Sequence, residues 1–280
     1  MLWRGRDESS NVDDRRGISG GGLAVGGGIG GIIIAVIYVL LGGNPSNLPQ
    51  QSSAGVGSQQ EMTAEQKASD DTLATFTKVT LRETEIIWHN LLPNYTEPTL
   101  VLFRDGVKSG CGGASSASGP FYCPADEKVY IDLSFFNELK QRFNAPGDFA
   151  MAYVVAHEVG HHIQKLMGTS EKMDAMRSQL SEVDYNKLSV KLELQADFYA
   201  GVWAHYAQKT ENIIQPGDID EALNAANAIG DDRLQKESQG RVVPDAFTHG
   251  TSQQRMYWFK KGYETGDIKQ GNTFSTADLN

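Results

Sequence analysis

Cysteine is scarce in this chain of 280 residues: only Cys111 and Cys123 occur, and no CxxC pair exists. A cysteine-type zinc site or a thiol redox motif is therefore not supported. Basic clusters are missing as well. The chain has no Lys/Arg-rich block, and 25 basic against 35 acidic residues give a formal net charge of -10. Phosphate backbones call for a basic stripe, so this balance argues against nucleic acid as a partner. No internal repeat is visible. Charge of either sign is absent from one long stretch, Gly17 to Gln60.

What is present supports an ordinary core, since 40% of the residues are hydrophobic. Inside the uncharged stretch, Leu23–Leu41 is nineteen residues of Leu, Ile, Val, Ala, Tyr and Gly. As a helix that run is long enough to span a hydrocarbon core. A cleaved signal peptide is the competing reading. Asp7, Glu8, Asp13 and Asp14 upstream, and the lack of a clear A-x-A site, stand against it. Arg4, Arg6, Arg15 and Arg16 precede the run, and the next basic residue is Lys67. The positive-inside rule then places the N-terminus in the cytoplasm and the remainder in the periplasm or outside the cell. The expectation is a single-pass protein of the inner or plasma membrane, with the lipid bilayer as a partner. Outside the cytoplasm Cys111 and Cys123 are expected to form a disulfide, two unrelated thiols being the alternative.

Five segments follow from this pattern: a cytoplasmic segment 1–17, a transmembrane helix 18–42, a flexible linker 43–68, a catalytic domain 69–262 and a polar tail 263–280. The linker is rich in Gly, Ser, Gln and Pro. In the domain, Leu73, Phe76, Val79, Ile86 and Ile87 recur at helical spacing between Ser69 and Leu92, with Pro93 as the stop. Thr99–Phe103 reads as a strand. Phe121–Cys123 and Val129–Leu133 flank Pro124-Ala125-Asp126-Glu127 and read as a hairpin. Helical patterns dominate from Ser134 to about Gly262, so the fold class is α+β.

The chemistry centres on the helical run from Gly147 to Gln164. His157 and His161 stand four apart on one helix face, where two imidazole nitrogens can reach one Zn²⁺. Glu158 lies beside that face, placed to take a proton from water and not to bind the metal. Two buried structural histidines and a surface glutamate are the plainer alternative. A second helix, roughly Leu188 to Tyr206, carries Glu193 and Asp197, again four apart. Glu193 is placed as a third ligand, and Asp197 as an acceptor for the free ring N–H of a ligand histidine. A solvated acidic pair is the alternative, but Leu192, Ala196, Phe198, Val202 and Trp203 make this helix largely apolar. His162 points about 100° away from the metal face and is expected to be exposed. His89 and His205 are expected to be structural.

His-Glu-Val-Gly-His, followed about thirty residues later by Glu193-Leu194-Gln195-Ala196-Asp197, resembles the bacterial neutral zinc metallopeptidase family. That family is similar to the gluzincins, including membrane heat-shock peptidases. The resemblance extends to the Ser-Gly-Cys-Gly loop, Phe-Tyr-Cys-Pro and the run Phe247 to Ser252. It implies a zincin-like domain, zinc at His157, His161 and Glu193, and Glu158 as acid/base. It further implies that His249 stabilises the transition state and that Arg255 braces the site, as in the Thr-His-Pro…Arg segment of those peptidases. Gly250 replaces the proline here. A loop histidine bonded to backbone is the alternative for His249. The expected activity is zinc-dependent hydrolysis of peptide or protein substrates. The rival reading is a non-catalytic, membrane-tethered zinc-binding scaffold. The strand Val129–Leu133 precedes the active helix, as the edge strand does in gluzincins, and pairing with an extended peptide by strand addition is one reading of it; packing in the core is the favoured one.

Overall fold

The computed structural model describes residues 1–17 and 62–275. Helix α1 (Ala64–Leu91) begins at a reciprocal cap between Thr63 and Gln66, five residues before the expected Ser69, and ends ahead of Pro93. Strand β1 (Val12–Asp14) runs parallel to β2 (Thr99–Phe103), and β2 parallel to β6 (Lys128–Asp132). Strand β5 (Phe121–Cys123) closes the sheet antiparallel to β6, giving the order β1-β2-β6-β5. The expected hairpin therefore forms. Its second strand is interior, as the core-packing reading expects and not the strand-addition one: β6 is flanked by β2 and β5, and the edge next to it is β5. Both central strands are buried, Leu100–Phe103 and Val129–Asp132 alike, which is what strands covered on two faces require. A separate ribbon pairs β3 (Gly106–Ser109) with β4 (Gly112–Ser115). A Cys111–Cys123 disulfide, with Cα atoms 5.8 Å apart, ties its turn to the end of β5.

Helices follow: α2 (Ser134–Gln141), α3 (Asp148–Leu166), α4 (Thr169–Arg177), α5 (Glu182–Lys209), α6 (Asp218–Ala228), α7 (Asp231–Gln239) and α8 (Ser252–Thr265). α3 starts where the Glu221 carboxylate of α6 accepts the Phe149 N–H at 2.9 Å, and it stops before Gly168, whose φ is +73°. Three glycines let helix backbones touch. A Cβ at Gly160 would lie 2.9 Å from the Ala196 carbonyl, which joins α3 to α5. A Cβ at Gly201 would lie 2.0 Å from the Phe259 carbonyl, and one at Gly262 2.1 Å from that of Phe198, which joins α5 to α8. Gly201→Ala must push α8 outward and should lower stability by about 1–3 kcal/mol, read from urea unfolding. A midpoint unchanged from wild type would refute this close approach.

The membrane topology is corrected. Among the described residues no helix is long and apolar enough to cross a membrane. The expected span Leu23–Leu41, most of the linker and the end of the tail lie outside those residues. The N-terminal segment does not stand apart. Trp3 is 7% exposed, packs edge-on against Phe76 and donates Nε1–H to Asp148 at 2.8 Å. Arg6 bridges Glu83 and Glu211 at 2.6 and 2.9 Å, and β1 extends the sheet. Residues 1–17 and residues 62–275 thus form one packed body. A single crossing between them would leave its two flanks on opposite sides of a bilayer, so these contacts do not support the expected cytoplasmic N-terminus with an exported domain. The described part of the tail packs on this body: Gln195 donates to the Gly271 carbonyl at 2.8 Å, and Thr273 donates to that of Lys191 at 2.6 Å.

Candidate metal centre

α3 presents His157 and His161 on one face, and α5 crosses that face with Glu193. One ligand atom from each of the three residues lies within 4.8 Å of the other two. His157 Nε2 is 3.1 Å from Glu193 Oε2, and His161 Nε2 is 3.4 Å from Glu193 Oε1. Both Nε2 atoms therefore point at the same carboxylate.

The other ring nitrogens are fixed. His157 Nδ1 lies 2.8 Å from Asp197 Oδ1, and His161 Nδ1 lies 2.9 Å from Gln164 Oε1. Each acceptor draws the proton to Nδ1 and leaves the Nε2 lone pair for a metal. Asp197 is fully buried and heavily bonded. It accepts from Tyr153 Oη at 2.5 Å and from Arg255 through Nε and Nη2 at 2.8 and 3.0 Å. Burial alone would raise the Asp197 pKa, but the Arg255 and His157 charges hold it well below the usual carboxylate range. Gln164 is itself held, donating to the Leu192 carbonyl at 2.6 Å. Tyr153 and Gln164 escaped the sequence reading, although Tyr153 lies four residues before His157 and Gln164 three after His161, both on the metal-facing side.

Glu158 sits beside this group at 7% exposure, and burial pushes its pKa up. Burial would raise the Glu193 pKa, but the His161 charge, and after it that of His249 in the loop before α8, hold it well below the usual carboxylate range. His162 is not exposed: it is completely buried, with Nδ1 2.9 Å from Tyr122 Oη and Nε2 2.6 Å from the Thr96 carbonyl. The α3 face that a lone amphipathic helix would offer to water is here covered by β5 and the segment leading into β2. His205 Nδ1 donates to the Tyr263 carbonyl at 2.8 Å, and His89 pairs with Glu97 at 2.8 Å on the surface.

The donor set is two helix-borne imidazoles with oriented tautomers and one carboxylate, backed by a buried Asp–Arg pair and flanked by a free glutamate. Such a set fits a divalent metal of intermediate softness and defines a candidate metal centre. The chain belongs to the family described as "Putative neutral zinc metallopeptidase", which matches residues 1–274 and so includes the N-terminal segment. It is 48% identical to the uncharacterized protein YpfJ of Escherichia coli K12 over 287 aligned positions, covering 99% of this chain and all of that one. It is 46% identical to the uncharacterized proteins Mb2605 of Mycobacterium bovis and Rv2575 of Mycobacterium tuberculosis. Those matches span 205 positions, 70% of this chain and 68% of theirs. No solved structure matches it.

Proposed function

We propose that the protein is a zinc-dependent peptidase that hydrolyses peptide bonds, with His157, His161 and Glu193 as metal ligands and Glu158 as general base. The convergence of the two Nε2 atoms on Glu193, with both Nδ1 atoms already engaged, carries this reading. Zinc held there would polarise the scissile carbonyl and acidify water. Glu158 takes the proton from the attacking water and delivers it to the leaving amine. Burial raises its pKa above the usual carboxylate value, which makes it a stronger base than an exposed glutamate. His249 donates to the carbonyl oxygen as negative charge develops there. Arg255 acts at one remove by keeping Asp197 ionised, and Asp197 orients His157.

The scaffold reading fares worse. A closed structural zinc site takes four protein ligands, whereas three converge among the described residues. Both cysteines are committed to the disulfide and are not available as a fourth. The test is metal content and peptide-library cleavage of the purified protein, before and after chelation. One zinc per chain is expected, with cleavage lost on stripping and restored by zinc. Cleavage that survives complete removal of metal would overturn the proposal.

A further inference from the structure

Resting on that reading, we propose that Asp231 is the positioning residue of His249, setting both the loop that carries the ring and the nitrogen that bears its proton. Asp231 is the first residue of α7, far from the catalytic helix in sequence, and is completely buried. Its Oδ2 accepts three consecutive backbone N–H groups, from Thr248 at 2.7 Å, His249 at 2.6 Å and Gly250 at 3.0 Å. The Asp231 N–H donates in return to the Gly250 carbonyl at 2.9 Å. Three successive amides can converge on one oxygen only if the chain curls, and Gly250 supplies the curl with φ +92°. The next acid adds a second staple: Asp232 Oδ1 accepts from the Ser252 N–H at 2.7 Å and its hydroxyl at 2.9 Å, at the start of α8. A carboxylate absorbing this many donors does more than cap a nine-residue helix.

The remaining oxygen addresses the ring. Asp231 Oδ1 lies 3.3 Å from His249 Nδ1, and Thr248 Oγ1 lies 2.9 Å from the same nitrogen. A carboxylate only accepts, so it draws the ring proton to Nδ1, and the hydroxyl can then accept as well. Both hydrogen bonds of the ring use Nδ1. Nε2 is therefore the nitrogen left to face a bound substrate. The His249 side chain keeps 28% exposure while Asp231 has none. A buried anion thus anchors a ring that reaches into the open.

Asp231→Asn tests the assignment with little change of shape. Its Oδ1 can replace the acceptor of the three amides, while its Nδ2–H₂ now faces His249 Nδ1 and drives the ring proton to Nε2. Ring ¹⁵N shifts of His249, read in the metal-free protein at alkaline pH where imidazoles are neutral, should show Nδ1–H in wild type and Nε2–H in the variant. Thr248→Val, which leaves Asp231 as the sole acceptor, should keep Nδ1–H. In the zinc-loaded protein, Asp231→Asn should lower kcat by roughly 10–100-fold with KM unchanged. His249→Ala should lower it by roughly 10²–10³. Asp231→Asn should have no further effect when added to His249→Ala. A ring proton that stays on Nδ1 in Asp231→Asn, or one that moves only in Thr248→Val, overturns the proposal. So does an equal kcat loss with and without His249, which would mean a purely structural acid. If the wild type cleaves no peptide, the function proposed above fails, and the ring nitrogens still decide the pairing.

Discussion

Glu158→Gln should keep one zinc per chain and lose cleavage by roughly 10²–10⁴ in kcat. Glutamine preserves the volume of a side chain that is 7% exposed, so the fold and the three donors are undisturbed. It cannot take a proton from water, and Glu158 is not among the three converging donors. His157→Ala, His161→Ala and Glu193→Ala should instead lose the metal itself, because two remaining ligands hold it far more weakly. Metal analysis beside single-turnover cleavage separates the two outcomes. Full turnover in Glu158→Gln would remove Glu158 from the mechanism, and a matching loss of zinc would make it a ligand.

Arg255→Ala should unfold the protein more readily than any surface change, by about 3–5 kcal/mol, and lower Tm by roughly 6–20 °C. Arg255 is 2% exposed, and its partner Asp197 is fully buried. Removing the guanidinium leaves an anion in the interior with only Tyr153 and His157 to answer it. The double variant Arg255→Met with Asp197→Leu removes both charges and should recover most of that stability. It should still bind zinc about 10–100-fold more weakly, since nothing then holds His157 Nδ1. A single variant within 1 kcal/mol of wild type would show that the pair carries no stability.

The two helices of the centre were legible because the constraint is local. Imidazoles four apart must share a face, and Glu193 and Asp197 on an otherwise apolar helix need buried partners. The Asp231 clamp and the Arg255–Asp197 pair join residues 17 to 58 positions apart, and no periodicity marks them. His162 was misplaced for a related reason: a helical wheel assigns faces, and only tertiary packing decides which face meets water. The N-terminal segment misled most. Its arginines read as a topology signal, whereas Arg6 answers Glu83 at 1% exposure on α1, and Ser9 and Asn11 answer the equally buried Glu85. Two acids on the packed face of α1 were the available hint that something polar must come to meet them.

The docked N-terminal segment also dictates an order of assembly. Leu2 donates its N–H to the Ile213 carbonyl at 2.7 Å, and Arg6 meets Glu211 across 205 positions of sequence. During synthesis at about 5–20 residues per second, the partners of the first residues follow them out of the ribosome by roughly 10–40 s. Trp3 must itself wait for Phe76 and then for Asp148, 145 positions later, by which time β2 and the other strands of the sheet are already made. Closure of the fold is therefore a long-range, late event, and the growing chain carries an incompletely covered tryptophan until α3 has begun.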